Sequence, residues 1–190
     1  MFCLSGKVLE WFRSYLEKCS QRVSVHGILS DVQFLLSGVP QCSVLGSLIC
    51  TVYTHPLGII AQWYGVKYHS YVGNTQLYIS LDPGNELNFS CSWKNLEHCI
   101  DDIRLWMTQN LLRLNDNKTI IIYLPSPHWL KSLKTPALQM GASSITPNRS
   151  VKNLGVIFDH CINMYEHVTS VCRPAYYHLK NIHCLKAFLT

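Results

Sequence analysis

From Val32 to Val66 the chain runs for 35 residues without a single Asp, Glu, Lys or Arg. A stretch that long and that free of charge belongs either in a bilayer or in a protein core. Its most apolar part, Val44 to Tyr53, is only ten residues long and lies between Pro40 and Pro56. Ser43, Ser47, Thr51, Thr54 and His55 dilute it further. A membrane-spanning helix needs about 20 predominantly apolar residues. The segment is therefore read as a buried core helix, with no transmembrane span and no membrane partner.

The rest of the composition agrees with a packed domain. Of 190 residues, 48% are hydrophobic and only 14% charged, which excludes a disordered chain. So few charges leave little to solubilise a surface, and part of that surface is expected to be covered. The net charge of +5 is unevenly spread. Residues 1–117 carry eight basic and nine acidic side chains, whereas residues 118–190 carry eight basic ones against Asp159 and Glu166 alone. An excess confined to one end points to a polyanion or to a solvated basic face.

Nine cysteines, an odd number with no Cys-x-x-Cys, argue against a disulfide framework. The first 20 residues include Lys7, Glu10, Arg13, Glu17 and Lys18, so no secretory signal is read there. An intracellular setting, nuclear or cytoplasmic, with free and mostly buried thiols is expected. His160, Cys161, His167, Cys172, His178, His183 and Cys184 crowd the C-terminal end, but their spacings match no pair pattern that closes a tetrahedral zinc site.

Periodicity predicts a helix over Lys7 to Lys18, with Val8, Phe12, Tyr15 and Leu16 on one stripe and Ser5 as its cap. Strands are expected over Gln21 to His26 and Val32 to Leu36, then a helix from Ser43 with Val44, Leu45, Leu48, Ile49 and Val52 inward. Val66 to Val72 and Thr75 to Leu81 read as strands joined by Gly73-Asn74. A long helix follows over Leu87 to Asn110, with Leu96, Cys99, Ile103, Trp106 and Met107 apolar. Lys118 to Leu124 reads as a strand and is followed by a Pro/Ser/Lys loop. Val151 to Phe158 is the next strand, and a last helix runs from about Asn163 to Ala187. Hairpins interleaved with helices define an α+β class.

Five segments carry a resemblance. Ser37-Gly-Val-Pro-Gln41 with Ser43-Val-Leu-Gly46 resembles the motif that opens the palm helix of LINE-type (non-LTR) reverse transcriptases. Trp11-Phe-Arg-Ser-Tyr-Leu16 with Gln21-Arg-Val-Ser-Val25 looks like the segment before it. Tyr71-Val-Gly-Asn-Thr-Gln-Leu-Tyr78 stands where those enzymes have the Tyr-x-Asp-Asp hairpin. Asn110-Leu-Leu-Arg-Leu-Asn115 with Lys118-Thr119 is similar to their next motif, and Val151-Lys-Asn-Leu-Gly-Val-Ile-Phe-Asp159 to the strand that grips the primer end.

The resemblance implies a palm-like antiparallel sheet packed on helices, with the fingers and first catalytic strand missing. It divides the chain into a partial palm over residues 1–124 and a basic, connection- or thumb-like part over 125–190. Gly38, Val39, Pro40, Gln41 and Lys118 take the nucleotide- and template-binding positions, and Asn153, Leu154 and Gly155 the primer grip. Polymerisation there is phosphoryl transfer through two Mg²⁺ ions held by carboxylates. Here the two hairpin carboxylate positions hold Gly73 and Asn74, and the turn glycine after Gln41 is Cys42.

No neighbour replaces the lost acids. Asp82 is about 26 Å along an extended chain from Asn74. Asp101 and Asp102 are adjacent on a helix and point about 100° apart. Asp116 lies in a turn. No metal, no cofactor and no polymerase activity are therefore expected. The alternatives are a non-catalytic RNA- or DNA-binding protein that uses the basic C-terminal segment, and a translated fossil without a role. No obligate protein partner is inferable.

Overall fold

The computed structural model describes residues 5–35, 38, 43–71, 73–129, 136–141 and 143–186. It is a mixture of helices and small antiparallel ribbons, and the described sheets each have two strands. The chain divides into two compact units, residues 1–79 with 106–112, and residues 80–105 with 113–190. No described helix is long and apolar enough to cross a membrane.

Unit one begins with helix α1 (Gly6–Leu16), on which Trp11 stacks against Tyr15 at 5.5 Å. The expected stripe is only partly covered: Phe12 and Tyr15 are half-buried, Val8 and Leu16 exposed. The strand expected over Gln21 to His26 is split. β1 (Ser20–Gln21) pairs with β4 (Gln33–Phe34), and β2 (Ser24–Val25) with β3 (Ile28–Leu29). The ladder breaks because Val23 turns its N–H to the Ser30 hydroxyl and its carbonyl to the Ser30 N–H. His26 and Gly27, both at positive φ, then close the inner turn. Of the expected strand to Leu36, only Gln33 and Phe34 pair, and Leu36 lies outside the described residues.

Helix α2 (Gly46–Trp63) runs through Pro56 instead of stopping before it, and its inward set differs from the expected one. Leu57, Ile60 and Ala61 are buried, while Val44 is 97% exposed and Leu48 also faces out. The charge-free run is thus core only in its second half. Against that half packs the ribbon of β5 (Lys67–Tyr71) and β6 (Asn74–Tyr78). The seat is Gly58: a Cβ there would lie 3.1 Å from the Tyr68 ring. Tyr53 ties α2 to the end of the next helix, donating to the Asn110 carbonyl at 2.8 Å with its ring 6.0 Å from Trp106.

Unit two is assembled on helix α3 (Glu86–Gln109), whose last turn from Trp106 belongs to unit one. Trp93, Cys99, Ile100 and Ile103 are buried on one stripe, close to the expected face. Phe89, Trp93 and Tyr123 stack in series at 6.4 and 5.8 Å. Burial pushes the Cys99 thiol up to about 11, helped by nearby Asp102, and the Tyr123 phenol up to about 12.

Three expectations fail in this unit. Lys118 to Leu124 is no strand: a 3₁₀ turn (Asp116–Lys118) leads into a single bridge, Ile122 to Asn148. Part of the expected Pro/Ser/Lys loop is a hairpin, β7 (Leu138–Met140) with β8 (Ser143–Ile145), and it buries Leu138 and Met140. Val151 to Phe158 is two strands, β9 (Ser150–Asn153) and β10 (Val156–Asp159), reversed at Leu154 and Gly155, both at positive φ. Helix α4 (Tyr165–Leu185) closes the unit. The expectation of mostly buried thiols fails too: Cys99 is buried, but Cys91, Cys161, Cys172 and Cys184 are exposed.

The close approach at Gly58 yields a prediction. Gly58→Val gains a little helix propensity but drives two methyls into the Tyr68 ring, and overpacking of this kind costs about 1–3 kcal/mol. The variant is expected to melt several degrees lower in a calorimetric scan. An unchanged or raised Tm would show that the ring yields without cost.

Candidate nucleotide and nucleic-acid site

The residues singled out by sequence fall in both units. Gly38, Gly73 and Asn74 lie in unit one, and Lys118, Asn153, Leu154 and Gly155 in unit two. Val39, Pro40 and Gln41, with neighbouring Ser37 and Cys42, lie outside the described residues. Gly38 itself stands at φ +104 with open space where a Cβ would be.

The β5–β6 hairpin positions Gly73 and Asn74. Its register pairs Tyr71 with Asn74, so Asn74 already belongs to β6 and not to the turn, unlike the Gly73-Asn74 turn read from sequence. Asn74 is the first, exposed residue of β6. Gly73 sits at φ +84, a conformation glycine adopts without strain and most other residues avoid. Nothing lies within 4 Å of the place its side chain would occupy. The hairpin tip is thus an open, solvent-facing turn that offers neutral groups only.

The turn that carries Lys118 is held by an ion pair between Arg104 and Asp116. Arg104, from the α3 stripe, donates from Nη2 to Asp116 Oδ1 at 2.9 Å and to the Met140 carbonyl at 3.5 Å. The pair is about one-third exposed on each side. One guanidinium therefore fixes both the 3₁₀ turn that carries Lys118 and the edge of β7. The turn expected at Asp116 is present, and its partner, twelve residues upstream, has no local signature. Lys118 itself is exposed. Asp101 is exposed as expected of a solvated face, whereas Asp102 is half-buried.

Asn153, Leu154 and Gly155 form the tip of the β9–β10 hairpin, with Leu154 exposed. At the other end of this ribbon lies a group the sequence reading counted only as a charge. Asp159 is 5% exposed, and its carboxylate collects three backbone N–H groups. Oδ1 accepts from Cys161 at 2.9 Å and from Asn163 at 3.2 Å, and Oδ2 from Met164 at 2.8 Å. Wrapping the chain around one carboxylate forces Ile162 and Met164 into left-handed backbone, a strain the charge-assisted bonds offset. Burial alone would raise the Asp159 acid, but the N–H groups of Asn163, Met164 and Cys161 prevail and hold it below the usual carboxylate range. Asp159 lies five residues before the N-cap Met164, outside the position from which a side chain caps a helix, so its role as the anchor of this turn has no capping signature in the sequence.

Asp159, His160 and Cys161 bring their ligand atoms within 4.8 Å of one another, the described set that could hold a metal. The Asp159 carboxylate is already engaged by the turn and sits at the positive end of α4, where a cation is disfavoured.

With this geometry in view, the chain is similar to the RNA-directed DNA polymerase from mobile element jockey of Drosophila melanogaster, 23% identical over 164 residues. The similarity covers 84% of this chain and 17% of that polymerase, so the chain spans about a sixth of its length. No family model matches the chain, and no solved structure matches it. The similarity supports an origin related to reverse transcriptases.

The Asp159 turn makes a testable claim. A carboxylate held below its usual value stabilises the fold above the ordinary value of 3.8 and loses that contribution as the pH falls through and below it. Asp159→Asn should lower the Tm at neutral pH and flatten the acid limb of a Tm-against-pH profile. Superimposable wild-type and variant profiles would remove the carboxylate from this role.

Proposed function

We propose that the chain is a retrotransposon-derived reverse transcriptase palm segment with a degenerate metal site, and that it does not polymerise. The observation that carries this is the β5–β6 tip, where the family's two carboxylate positions hold Gly73, at φ +84, and Asn74. Two divalent ions bring a charge of +4 beside an anionic triphosphate, and hard Mg²⁺ needs anionic oxygen ligands to be held there. An amide oxygen is neutral and glycine has no ligand atom, so Mg²⁺ has no seat at this hairpin. In sequence, Lys118, Gly38 and residues 39–41 keep the family's substrate-facing identities, whereas positions 73 and 74 do not keep its acids. Primer extension on an RNA template with Mg²⁺ or Mn²⁺ is the test. Incorporation no greater than that of a Lys118→Ala control is expected, and incorporation clearly above it overturns the proposal.

We also infer a non-catalytic role in binding RNA or DNA, favoured by one observation. Arg149 and Lys152 on the β9 side, and Arg173 and Lys180 on α4, are all exposed in the half of the chain that carries the basic excess. Binding driven by phosphate contacts falls with salt, with a log–log slope of about −0.9 per phosphate neutralised on B-DNA. Affinity for a short duplex should therefore drop steeply between low and physiological salt. Arg149→Glu with Lys152→Glu should flatten the slope. Salt-independent retention, or none at low salt, counts against the role.

A further inference from the structure

Helix α4 buries none of its residues. Its first turns meet β10, where the Ile157 N–H approaches His167 Nδ1 at 3.4 Å. The residues facing Ile157 across a shallow cleft include Glu166, Thr169, Ser170 and Arg173, so much of the side turned to the sheet is polar. The apolar side is left uncovered: Val168, Val171, Leu179 and Ile182 are all more than half exposed, the last at 62%.

That uncovered side has a regular order. Val168, Cys172, Ala175, Leu179 and Ile182 recur at alternating steps of four and three, the spacing of a two-helix seam. Tyr165 lines the cleft against Ile157, and Pro174, which removes one rung of the helix, stands off the seam. The three charged residues of α4, Glu166, Arg173 and Lys180, are each seven apart and so share one position of the repeat, off the seam. The positions beside the seam, Thr169, Val171, Tyr176, His178, His183 and Leu185, carry no formal charge at neutral pH. A basic segment has thus kept one helix face free of charge. An anionic lipid surface or a nucleic acid would be met by Lys and Arg flanking that face, whereas the two basic residues of α4, Arg173 and Lys180, stand off it.

We propose that α4 pairs along this face with α4 of a second copy of the chain. Identical faces without formal charge meet without like-charge repulsion, and Ala175 in the middle of the seam lets the two helices approach closely. The available area suffices. A 21-residue helix is about 31 Å long and about 12 Å across, so half of its surface in each copy gives roughly 1,100 Å² in all, above the ~1,000 Å² of a specific interface. Cys172 lies on the seam and Cys184 on the far side of the helix, although both are exposed in a single copy. This pairing does not depend on the polymerase ancestry.

Sedimentation velocity and light scattering on the full chain, from micromolar concentrations upward, test the pairing. The expected particle is twice the 21.7 kDa of one chain. Leu179→Glu with Ile182→Glu should give a monomer of unchanged far-UV circular dichroism, and Arg173→Glu with Lys180→Glu should remain dimeric. Independently, alkylation of Cys172 in the wild type should slow as concentration rises, while that of Cys184 does not. A wild-type monomer at every concentration, a polydisperse aggregate, or equal alkylation of the two thiols overturns the proposal. If the double Glu variant unfolds, the thiol comparison on the wild type decides alone.

Discussion

A two-stranded ribbon cannot hold its shape in water unaided, because it has an edge on each side and no second layer of its own. Every described sheet in this chain is such a ribbon. The fold therefore depends on what each one leans against. The β5–β6 ribbon leans on α2, and the missing side chain of Gly58 makes room for the Tyr68 ring. The ribbon of β7 and β8 contributes Leu138 and Met140 to the buried set of unit two. The β1–β4 and β2–β3 ribbons bury nothing, and their Phe34, Ile28 and Val25 remain in solvent.

Polar anchors complete what the small cores begin. Arg104 joins α3, the Asp116 turn and the β7 backbone through a single nitrogen, Nη2. Asp159 is the anchor at the entry to α4, where no apolar burial secures the helix. Arg104 lies outside the segments that carry the family resemblance, whereas Asp159 ends the last of them. Arg104 thus maintains the local geometry around Lys118, and Asp159 that of the turn between β10 and α4.

How much of this was legible in the sequence follows the range of each signal. Helices α1 and α3 and the β5–β6 turn are written in neighbouring residues, and they lie within a residue or two of the expected places. The β9–β10 reversal was hidden because Leu154 takes a left-handed backbone that its side chain does not advertise. The β7–β8 hairpin was hidden by the turn-rich composition around it. The reach from Arg104 to Asp116 and Met140 depends on tertiary folding, which periodicity does not register. At the candidate site, the absence of acids at residues 73 and 74 was evident from identity alone. The conformation of Gly73 and the turn-holding role of Asp159 required coordinates.

Pro56 gives α2 a property of its own. It has no N–H for the carbonyl of Val52, so the helix lacks one rung of its ladder near its middle. All the buried residues, Leu57, Ile60 and Ala61, lie beyond that gap, and the turns before it bury nothing. Mechanically the helix is a clamped beam with a notch where the clamp begins. A push on the first turns of α2 would load the bond from Tyr53 to Asn110 and bend the helix at the notch before it disturbed the Tyr68 seat.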